Sequence, residues 1–213
     1  MKRGLFISFE GGEGCGKSTH IKALKEYLQK KGFECLITRE PGGAPISEKI
    51  RDILLSVNDG KGMSAKTEIL LFEAARSQHV EQTILPALKA GRIVISDRFM
   101  DSTTAYQGAA RRLPQGDVEW LNNFAVGSAL PDMTILLDLP VEEGLKRANK
   151  RDADNADRMG SENIEFYEQV REAFLKLAAQ NSDRFAVVSA EGSKEETFAK
   201  IISEVERKLR ENG

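Results

Sequence analysis

The chain alternates short apolar runs with longer stretches in which apolar residues recur every third or fourth position. A short continuous apolar run indicates a buried strand, and the longer spacing indicates one face of a helix. The predicted strands are residues 5–9, 33–38, 92–96, 133–139 and 185–189, and the predicted helices are residues 19–30, 45–57, 65–89, 103–111, 115–128, 141–148 and 194–210. This alternation predicts an α/β fold in which a five-stranded parallel sheet carries helices on both faces.

One glycine-rich segment joins the first predicted strand to the first predicted helix. Residues 11–18, Gly-Gly-Glu-Gly-Cys-Gly-Lys-Ser, fit the pattern G-x-x-x-x-G-K-[ST] in the setting of strand, loop and helix that this pattern requires. Glycines let successive N–H groups turn inward around an anion, and the helix points the positive end of its dipole at the same place. The segment predicts a P-loop NTPase-type three-layer fold rather than a glycine-rich turn that binds nothing.

The residues of this phosphate loop have predicted tasks. Lys17 is predicted to be catalytic, because its compact charge can reach the outer phosphates, and the Ser18 hydroxyl is predicted to ligate Mg²⁺. The residues predicted to bind the triphosphate are Gly11, Gly12, Glu13, Gly14, Cys15, Gly16, Lys17, Ser18 and Thr19. The loop and its helix therefore predict a nucleoside triphosphate, but they do not indicate what receives its phosphoryl group.

Composition narrows the class of protein. A chain of 213 residues suits a single domain, residues 1–213, with a full core. Its 31 basic and 33 acidic residues give a net charge of -2, so no basic surplus indicates a nucleic-acid partner. The sequence has no targeting segment and no apolar run of membrane-spanning length. Cys15 and Cys35 indicate reduced thiols, so we expect a cytoplasmic protein without a membrane partner. We expect Cys15 to be a small residue that fills the loop rather than a redox switch.

Residues 149–160 depart from the apolar pattern. The segment Asn-Lys-Arg-Asp-Ala-Asp-Asn-Ala-Asp-Arg-Met-Gly has almost no apolar residue that could fix it against a core. On charge alone it would be a solvated loop. Enzymes that move a phosphoryl group must exclude water, and a mobile basic flap does so, which favours a mobile lid over about 149–160.

Charged residues follow the second and third predicted strands. Ligands of open parallel sheets gather at the carboxyl ends of the strands, so we expect Arg39 and Arg98 to face the phosphate loop and to favour an anionic substrate. Asp97, directly before Arg98, is predicted to hold Mg²⁺ directly or through water. Asp138, which ends an apolar run of the fourth strand, is the alternative for this role. Asp97 is favoured because the neighbouring arginine suits a site.

Phe72 and Arg76 stand four residues apart in a predicted helix and therefore share a face. A ring and a guanidinium on one face can stack on a base and donate to its carbonyl, although taken singly Phe72 suits a core and Arg76 a solvated surface. Residues 102–108, Ser-Thr-Thr-Ala-Tyr-Gln-Gly, add hydroxyls, an amide and a phenol. These groups suit a sugar or a base edge better than a core.

Together these segments resemble the bacterial thymidylate kinases. The resemblance covers nearly the whole chain in the expected order, and it is carried by residues 10–19, 38–43 (Thr-Arg-Glu-Pro-Gly-Gly), 71–76 (Leu-Phe-Glu-Ala-Ala-Arg), 97–98 (Asp-Arg) and 102–108. It implies transfer of the γ-phosphoryl group of ATP to dTMP, giving dTDP and ADP, with Mg²⁺ on the phosphates. It also implies a place in dTTP biosynthesis for DNA synthesis, and a homodimer formed through the helices that carry Phe72 and Arg76.

The resemblance implies roles around the sugar and the phosphate of the acceptor. Glu13 would contact the region of the deoxyribose 3′-hydroxyl. Arg98 would grip the acceptor phosphate as a catalytic residue, with Arg39 and Arg51 as helpers. Tyr106 would fill the space that a 2′-hydroxyl needs, which would select deoxyribose over ribose.

The resemblance also implies a base site and a lid. Phe72 would stack on thymine, Arg76 would donate to its O4, and Thr103 and Gln107 would lie near the base edge. The family has two lid styles, of which one places an arginine in the phosphate loop and the other places glycine there and carries its catalytic basic residues on the lid. Gly14 indicates the second style. The candidates for its catalytic charge are Arg147, Lys150, Arg151 and Arg158, with Arg151 favoured.

Three alternatives stay open on the residues alone. The first is another nucleoside monophosphate kinase, acting on dUMP, dCMP or a purine nucleotide. The second, from a different class, is a GTP-binding switch protein that uses the phosphate loop to hold a nucleotide state. The third is a nucleotide-binding protein without catalytic activity.

Overall fold

The computed structural model describes residues 3–151 and 162–211, with only the backbone of Arg151. The strands are β1 (Phe6–Glu10), β2 (Cys35–Arg39), β3 (Ile93–Asp97), β4 (Met133–Asp138) and β5 (Phe185–Ser189). They form one parallel sheet in the order β2-β3-β1-β4-β5. Because β1 lies in the middle of the sheet, the phosphate loop that follows it lies at the centre of the carboxyl edge.

Helices surround the sheet. Within the described residues they are α1 (Lys17–Lys30), α2 (Pro45–Leu55), α3 (Ala65–His79), α4 (Leu85–Lys89), α5 (Met100–Thr103), α6 (Gln115–Val126), α7 (Val141–Arg151), α8 (Ile164–Gln180) and α9 (Lys194–Glu211), with π-helical segments at Val80–Ile84 and Thr104–Ala110. In this described part of the chain, no helix has the length and apolar character needed to cross a membrane.

Alternate residues of β1 enter two different cores. Ile7 and Phe9 pack with Leu24 of α1 and Ile201 of α9 on one side of the sheet, and Phe6 packs into a separate apolar cluster. Successive side chains of a strand point to opposite faces, so a strand that is covered on both sides buries all its side chains. All five residues of β1 are buried, and the polar Ser8 is hydrogen-bonded to the Thr134 hydroxyl at 2.8 Å. The predicted five-stranded parallel sheet with helices on both faces is confirmed.

The stretch predicted as one helix over 65–89 has three parts. α3 ends at His79, a π-helical turn follows, and α4 begins at Leu85. Pro86 lies in the first turn of α4, where a missing N–H costs nothing, whereas in the interior of a continuous helix it would break a hydrogen bond. The predicted helix 103–111 is likewise replaced by the short helix α5 and a π-helical segment.

The sequence analysis names no element over residues 164–180, where the structure has α8. The buried face of α8 carries Phe166, Val170, Phe174 and Ala178, four residues apart in each case. The Asn163 side chain accepts a hydrogen bond from the N–H of Phe166 at 2.9 Å and caps the helix. This spacing and cap were the signals that could have found α8. The other predicted boundaries differ from the observed ones by at most three residues.

A buried carboxylate ends the central strand. Glu10 accepts hydrogen bonds from the N–H of Phe99 at 2.7 Å and from the hydroxyl of Ser102 at 2.6 Å. Asp101 is paired with Arg184 at 2.7 Å. Burial, followed by the negative charge of Asp101, raises the pKa of the Glu10 carboxyl to about 8.

This raised pKa predicts that stability depends on pH through Glu10. Its ordinary pKa is 4.5, so between about 4.5 and about 8 only the folded protein holds the proton. The free energy of unfolding therefore falls as pH rises across this range, by at most about 1.4 kcal/mol per pH unit from this group. Glu10→Gln cannot ionise and removes this fall. We expect the unfolding free energy of the variant, relative to wild type, to increase from about pH 5.5 to about pH 8.5 in urea denaturation.

Glu34→Gln is the matched control for this measurement. The side chain of Glu34 is 84% exposed, so the same substitution there should give no such trend with pH. A difference between the Glu10 variant and wild type that stayed constant across the range would contradict the raised pKa.

Candidate active site

A cavity of about 660 Å³ opens at the carboxyl edge of the sheet. It is lined by the phosphate loop, by the ends of β2 and β3, and by residues of α2, α3, α7, α8 and the second π-helical segment. Its size suits small-molecule ligands, and its position is where open parallel sheets bind them. The polar residues that line it are therefore the candidates for a functional site.

The phosphate loop has the local geometry that its sequence predicts. Gly16, with φ of +92°, precedes the first turn of α1, whose leading N–H groups have no partner within the helix. Gly14 has φ of +66°, and a Cβ there would collide with the carbonyl oxygen of Gly144 in α7. Only glycine fits at this position because the loop and α7 approach each other so closely.

Lys17 lies back along the loop. Its Nζ donates to the carbonyl oxygens of Gly11 at 3.0 Å and Gly12 at 2.8 Å, and it lies 3.4 Å from the Sγ of Cys15. The lysine is buried at the cavity wall. A fixed positive charge thus lies beside N–H groups of the kind that surround a phosphate.

Of the two carboxylates considered for Mg²⁺, Asp97 is the one at the cavity. Its Oδ2 accepts a hydrogen bond from the Ser18 hydroxyl at 2.7 Å, so the two predicted ligands are adjacent. Both oxygens of Asp138 instead accept hydrogen bonds from Arg171, at 2.7 and 3.0 Å. A hydroxyl and a carboxylate are oxygen ligands of the kind that Mg²⁺ binds together with phosphates and waters. The pair at Ser18 and Asp97 fits that ion.

Arg98 has an unusual backbone conformation at the cavity wall. Its φ is +69°, a left-handed value that is rare for residues other than glycine, and its N–H donates to the carbonyl of Phe9 at 2.9 Å. Its Nη1 donates to Gly11 at 3.1 Å and its Nη2 to Glu13 Oε1 at 2.7 Å. The same Glu13 oxygen accepts a hydrogen bond from the Tyr106 hydroxyl at 3.2 Å. The predicted sugar and phosphate residues of the acceptor therefore meet at one place.

Burial sets the protonation of this cluster. It raises the pKa of the Tyr106 phenol well above its ordinary value, so the hydroxyl stays a donor. Burial acts to lower the pKa of the Arg98 guanidinium, but Tyr106 and the carboxylates of Glu13, Glu10 and Asp97 raise it above its ordinary value. The cation is retained, 5.0 Å from the centre of the Tyr106 ring.

Phe72 and Arg76 both line the cavity, as their spacing predicts. Arg76 is not the solvated charge that its position alone suggested, because its side chain is buried. Its Nε donates to Glu40 at 2.7 Å, and its Nη1 donates to Glu73 at 2.5 Å and to Asn122 at 2.8 Å. Burial opposes the charge, but the two carboxylates outweigh it and keep the pKa of Arg76 above its ordinary value. Arg76 is a firmly held donor.

The sequence analysis missed the residues that hold Arg76. Glu40 Oε1 lies 3.0 Å from His79 Nδ1, and His79 Nε2 lies 2.6 Å from the Thr38 hydroxyl. In the tautomer with its proton on Nδ1, His79 donates to Glu40 and accepts from the Thr38 hydroxyl at Nε2. The peptide bond from Glu40 to Pro41 is cis. No local pattern could have revealed this chain of contacts, because it joins residues at the end of β2 and just after it to residues of α3, far apart in the sequence.

The remaining predicted base-edge residues also line the cavity. The Nε2 of Gln107 donates to Glu68 Oε1 at 2.9 Å, and Thr103 is buried beside Glu73. Tyr167 of α8 is a further lining residue that the sequence analysis missed, because α8 itself was not predicted.

Arg39 and Arg51, the predicted helpers, line the cavity, but both guanidinium groups already have partners. Arg39 pairs with Glu48 at 2.8 Å, and Arg51 donates to the carbonyl oxygen of Pro41 at 2.6 Å. The Arg39 side chain is 52% exposed, and exposed ion pairs are worth only about 0–1 kcal/mol. A phosphate can therefore compete with Glu48 for Arg39.

The predicted lid lies largely outside the described residues. Arg158 and the side chain of Arg151 are outside them, so the roles given to both stay predictions. Arg147 pairs with Glu143 at 2.9 Å, and Lys150 is exposed in α7. Neither observation assigns a catalytic lid residue.

Residues 149–152 read Asn-Lys-Arg-Asp, which has the spacing Asn-Lys-x-Asp by which GTP-binding switch proteins read guanine. In the structure Asn149 and Lys150 belong to the helix α7, and Asn149 lines the cavity. The string alone therefore leaves the switch-protein alternative open, and comparison with known proteins is needed to decide.

Comparisons with known proteins identify the family. The family model described as thymidylate kinase matches residues 9–201. The thymidylate kinase of Afipia carboxidovorans is 48% identical to this chain, over 97% of this chain and 91% of its own length. The thymidylate kinase of Lactobacillus helveticus is 47% identical, over 98% of this chain and 99% of its own length. The crystal structure of thymidylate kinase from Ehrlichia chaffeensis matches this chain with a TM-score of 0.78 and 29% sequence identity. The match includes 95% of this chain and 99% of the Ehrlichia chain.

The matches extend over the sheet, the phosphate loop and the acceptor side of the cavity alike. They do not favour the alternatives, a GTP-binding switch protein among them. The sequence motifs, the fold and the relatives agree, and this chain belongs to the thymidylate kinase family of phosphotransferases.

Proposed function

We propose that this chain transfers the γ-phosphoryl group of ATP to dTMP, giving dTDP and ADP, within dTTP biosynthesis. The observation that carries the proposal is that one cavity is lined both by the phosphate loop and by Phe72 and Arg76. A triphosphate on the loop and a nucleotide with its base between Phe72 and Arg76 can then be brought end to end. The family of the chain supports the same pair of substrates.

Transfer requires positioning and charge more than covalent chemistry. Lys17 binds the outer phosphates of ATP, and Arg98 grips the acceptor phosphate, so that the reacting groups lie in line. Ser18 and Asp97 would hold Mg²⁺, which spreads the negative charge of the phosphates. The acceptor is already an anion, so no general base is needed.

The sugar and base of dTMP are recognised by the other lining residues. Glu13 contacts the 3′-hydroxyl region, and Tyr106 occupies the space of a 2′-hydroxyl. This placement is supported by the hydrogen bond that the Tyr106 hydroxyl donates to Glu13 at 3.2 Å. Phe72 stacks on thymine and Arg76 donates to O4. Thr103 and Gln107 lie at the base edge, and Arg39 and Arg51 assist with the acceptor phosphate. Arg151 adds charge from the lid.

The setting of the enzyme is part of the proposal. Residues 1–213 form a single domain, which the match over residues 9–201 supports. A cytoplasmic location is supported by Cys15 and Cys35, which are both free thiols as expected of a reducing compartment.

A homodimer is proposed through α2, α3 and α6. These helices pack together and carry exposed apolar side chains, namely Ile53, Leu70, Trp120 and Phe124, with 44%, 55%, 64% and 74% of their surface exposed. The rings of Trp120 and Phe124 stack on each other at 5.5 Å. Exposed apolar surface of this kind is typical of a protein interface.

We expect light scattering after gel filtration to give twice the mass of one chain. Replacing both Trp120 and Phe124 with Lys should give the monomer, because two charges would be buried at the interface. Phe33→Lys, at an exposed apolar residue outside these helices, is the control and should stay dimeric. A monomeric wild type would contradict the proposed dimer. A double variant that remained dimeric would show that the interface lies elsewhere on the chain.

The test of the reaction is a panel of acceptors with ATP and Mg²⁺. We expect ADP formation to be fastest, by kcat/KM, with dTMP, slower with dUMP, and far slower with dCMP and the purine monophosphates. A different preferred acceptor would indicate another nucleoside monophosphate kinase. Absence of ADP formation with every acceptor would contradict the proposal.

Lys17→Ala should lower the turnover of dTMP at least about a hundredfold, on the order of 3 kcal/mol of transition-state stabilisation. The reason is that Lys17 supplies the fixed charge at the outer phosphates. Lys22→Ala, at an exposed position of the same helix, should leave turnover near that of wild type. Near-normal turnover by the Lys17 variant would remove Lys17 from this role.

A further inference from the structure

Gln107 is held at the cavity wall by a buried carboxylate. Its Nε2 donates to Glu68 Oε1 at 2.9 Å, and Glu68 is only 1% exposed. Glu68, Phe72 and Arg76 follow one another at intervals of four residues on α3, so they lie along one face of that helix. The residue that holds Gln107 is therefore on the same face as the residues proposed to bind the base.

The hydrogen bond to Glu68 decides which end of the Gln107 amide a ligand meets. The Glu68 oxygen that faces Gln107 is an acceptor, so it fixes the NH₂ end of the amide toward itself. The Oε1 of Gln107 makes no hydrogen bond to the residues that the structure describes. The carbonyl oxygen is thus the end of the amide that is left for a ligand in the cavity.

A second donor fixes Glu68 Oε1 as an acceptor. The Nε of Arg111 lies 3.3 Å from Glu68 Oε1, and its Nη2 pairs with Glu162 at 2.6 Å. A guanidinium can only donate, so the Glu68 oxygen that it shares with Gln107 must accept. The polarity of the Gln107 amide is therefore built into the folded protein.

The arrangement of donor and acceptor at Arg76 and Gln107 matches the edge of a 4-oxo pyrimidine and does not match that of a 4-amino pyrimidine. Arg76 can only donate, whereas the oriented Gln107 accepts, so the two together suit a 4-oxo base with an N3–H. A 4-amino base has the reverse arrangement, with an amino donor at C4 and an acceptor at N3. Binding it would leave buried polar groups unpaired at both positions, which is strongly unfavourable.

We propose that Glu68 is a positioning residue for base selection, because it orients the Gln107 amide so that the site takes a 4-oxo pyrimidine and rejects a 4-amino pyrimidine. The inference rests on the proposed function, since it places the base of the acceptor at this wall of the cavity. It assigns Glu68 no contact with the substrate. Its effect on the reaction passes through Gln107.

The test compares kcat/KM for dTMP, dUMP and dCMP in the full chain and in Glu68→Leu. A leucine at 68 cannot accept a hydrogen bond, so it releases the Gln107 amide to turn its NH₂ toward the base. We expect the ratio of dTMP to dCMP to fall at least about tenfold, because one of the two mismatches is relieved. The ratio of dTMP to dUMP should not change, because these bases share the same edge. A merely structural defect would lower all three values in proportion.

Glu162→Leu is the matched control, because it breaks the outer link of the same network and leaves Glu68 and Gln107 unchanged. Its three kcat/KM values should keep their wild-type ratios. If Glu68→Leu does not fold, Glu68→Asp shortens the carboxylate by one methylene and should lower the same ratio. Unchanged ratios in a folded Glu68 variant, or a proportional loss on all three acceptors, would overturn the inference. Failure of wild type to phosphorylate dTMP would instead contradict the proposed function.

Discussion

The site depends on holding positive charge in a buried cleft before any phosphate is bound. A cation that is removed from water is costly unless a carboxylate or carbonyl lies beside it. Arg98 is held by Glu13, Arg76 by Glu40 and Glu73, and Lys17 by loop carbonyls. These partners hold the cations in place at the cavity, where two negatively charged nucleotides would otherwise repel each other.

The parallel sheet makes this concentration of charge possible. Phe9 of β1 stands opposite Asp97 of β3, so the phosphate loop and the Asp97-Arg98 turn leave the sheet side by side. The left-handed backbone of Arg98 then directs its side chain back toward Gly11 and Glu13. A sheet packed between helices fixes these positions more firmly than a loop could, which suits chemistry that depends on alignment.

Buried glutamates recur beneath the functional residues. Glu10 accepts from the backbone and from Ser102 next to the Arg98 turn, Glu40 orients Arg76, and Glu68 orients Gln107. Each is almost inaccessible to solvent. Buried oxygens that accept are well suited to this task, because they fix which donor faces them and so determine what the neighbouring side chain presents to a ligand.

The sequence by itself determined the fold class, the phosphate loop and the position of most cavity residues. Strands buried on both faces are predominantly apolar, and the motif at residues 11–18 has one typical setting of strand, loop and helix, so short-range patterns were sufficient. The spacing of Phe72 and Arg76 likewise placed both on one helix face.

Only the tertiary structure decided which charges are paired and with what. Asp97 and Asp138 both end apolar runs, but their partners differ. Asp97 accepts a hydrogen bond from Ser18, whereas both oxygens of Asp138 accept from Arg171. The tertiary structure turned Arg76 from a surface residue into a buried donor and brought Thr38, Glu40 and His79 together behind it. These contacts join residues that are far apart along the chain. No local periodicity encodes them, because a hydrogen bond is fixed by where the folded backbone places its two ends.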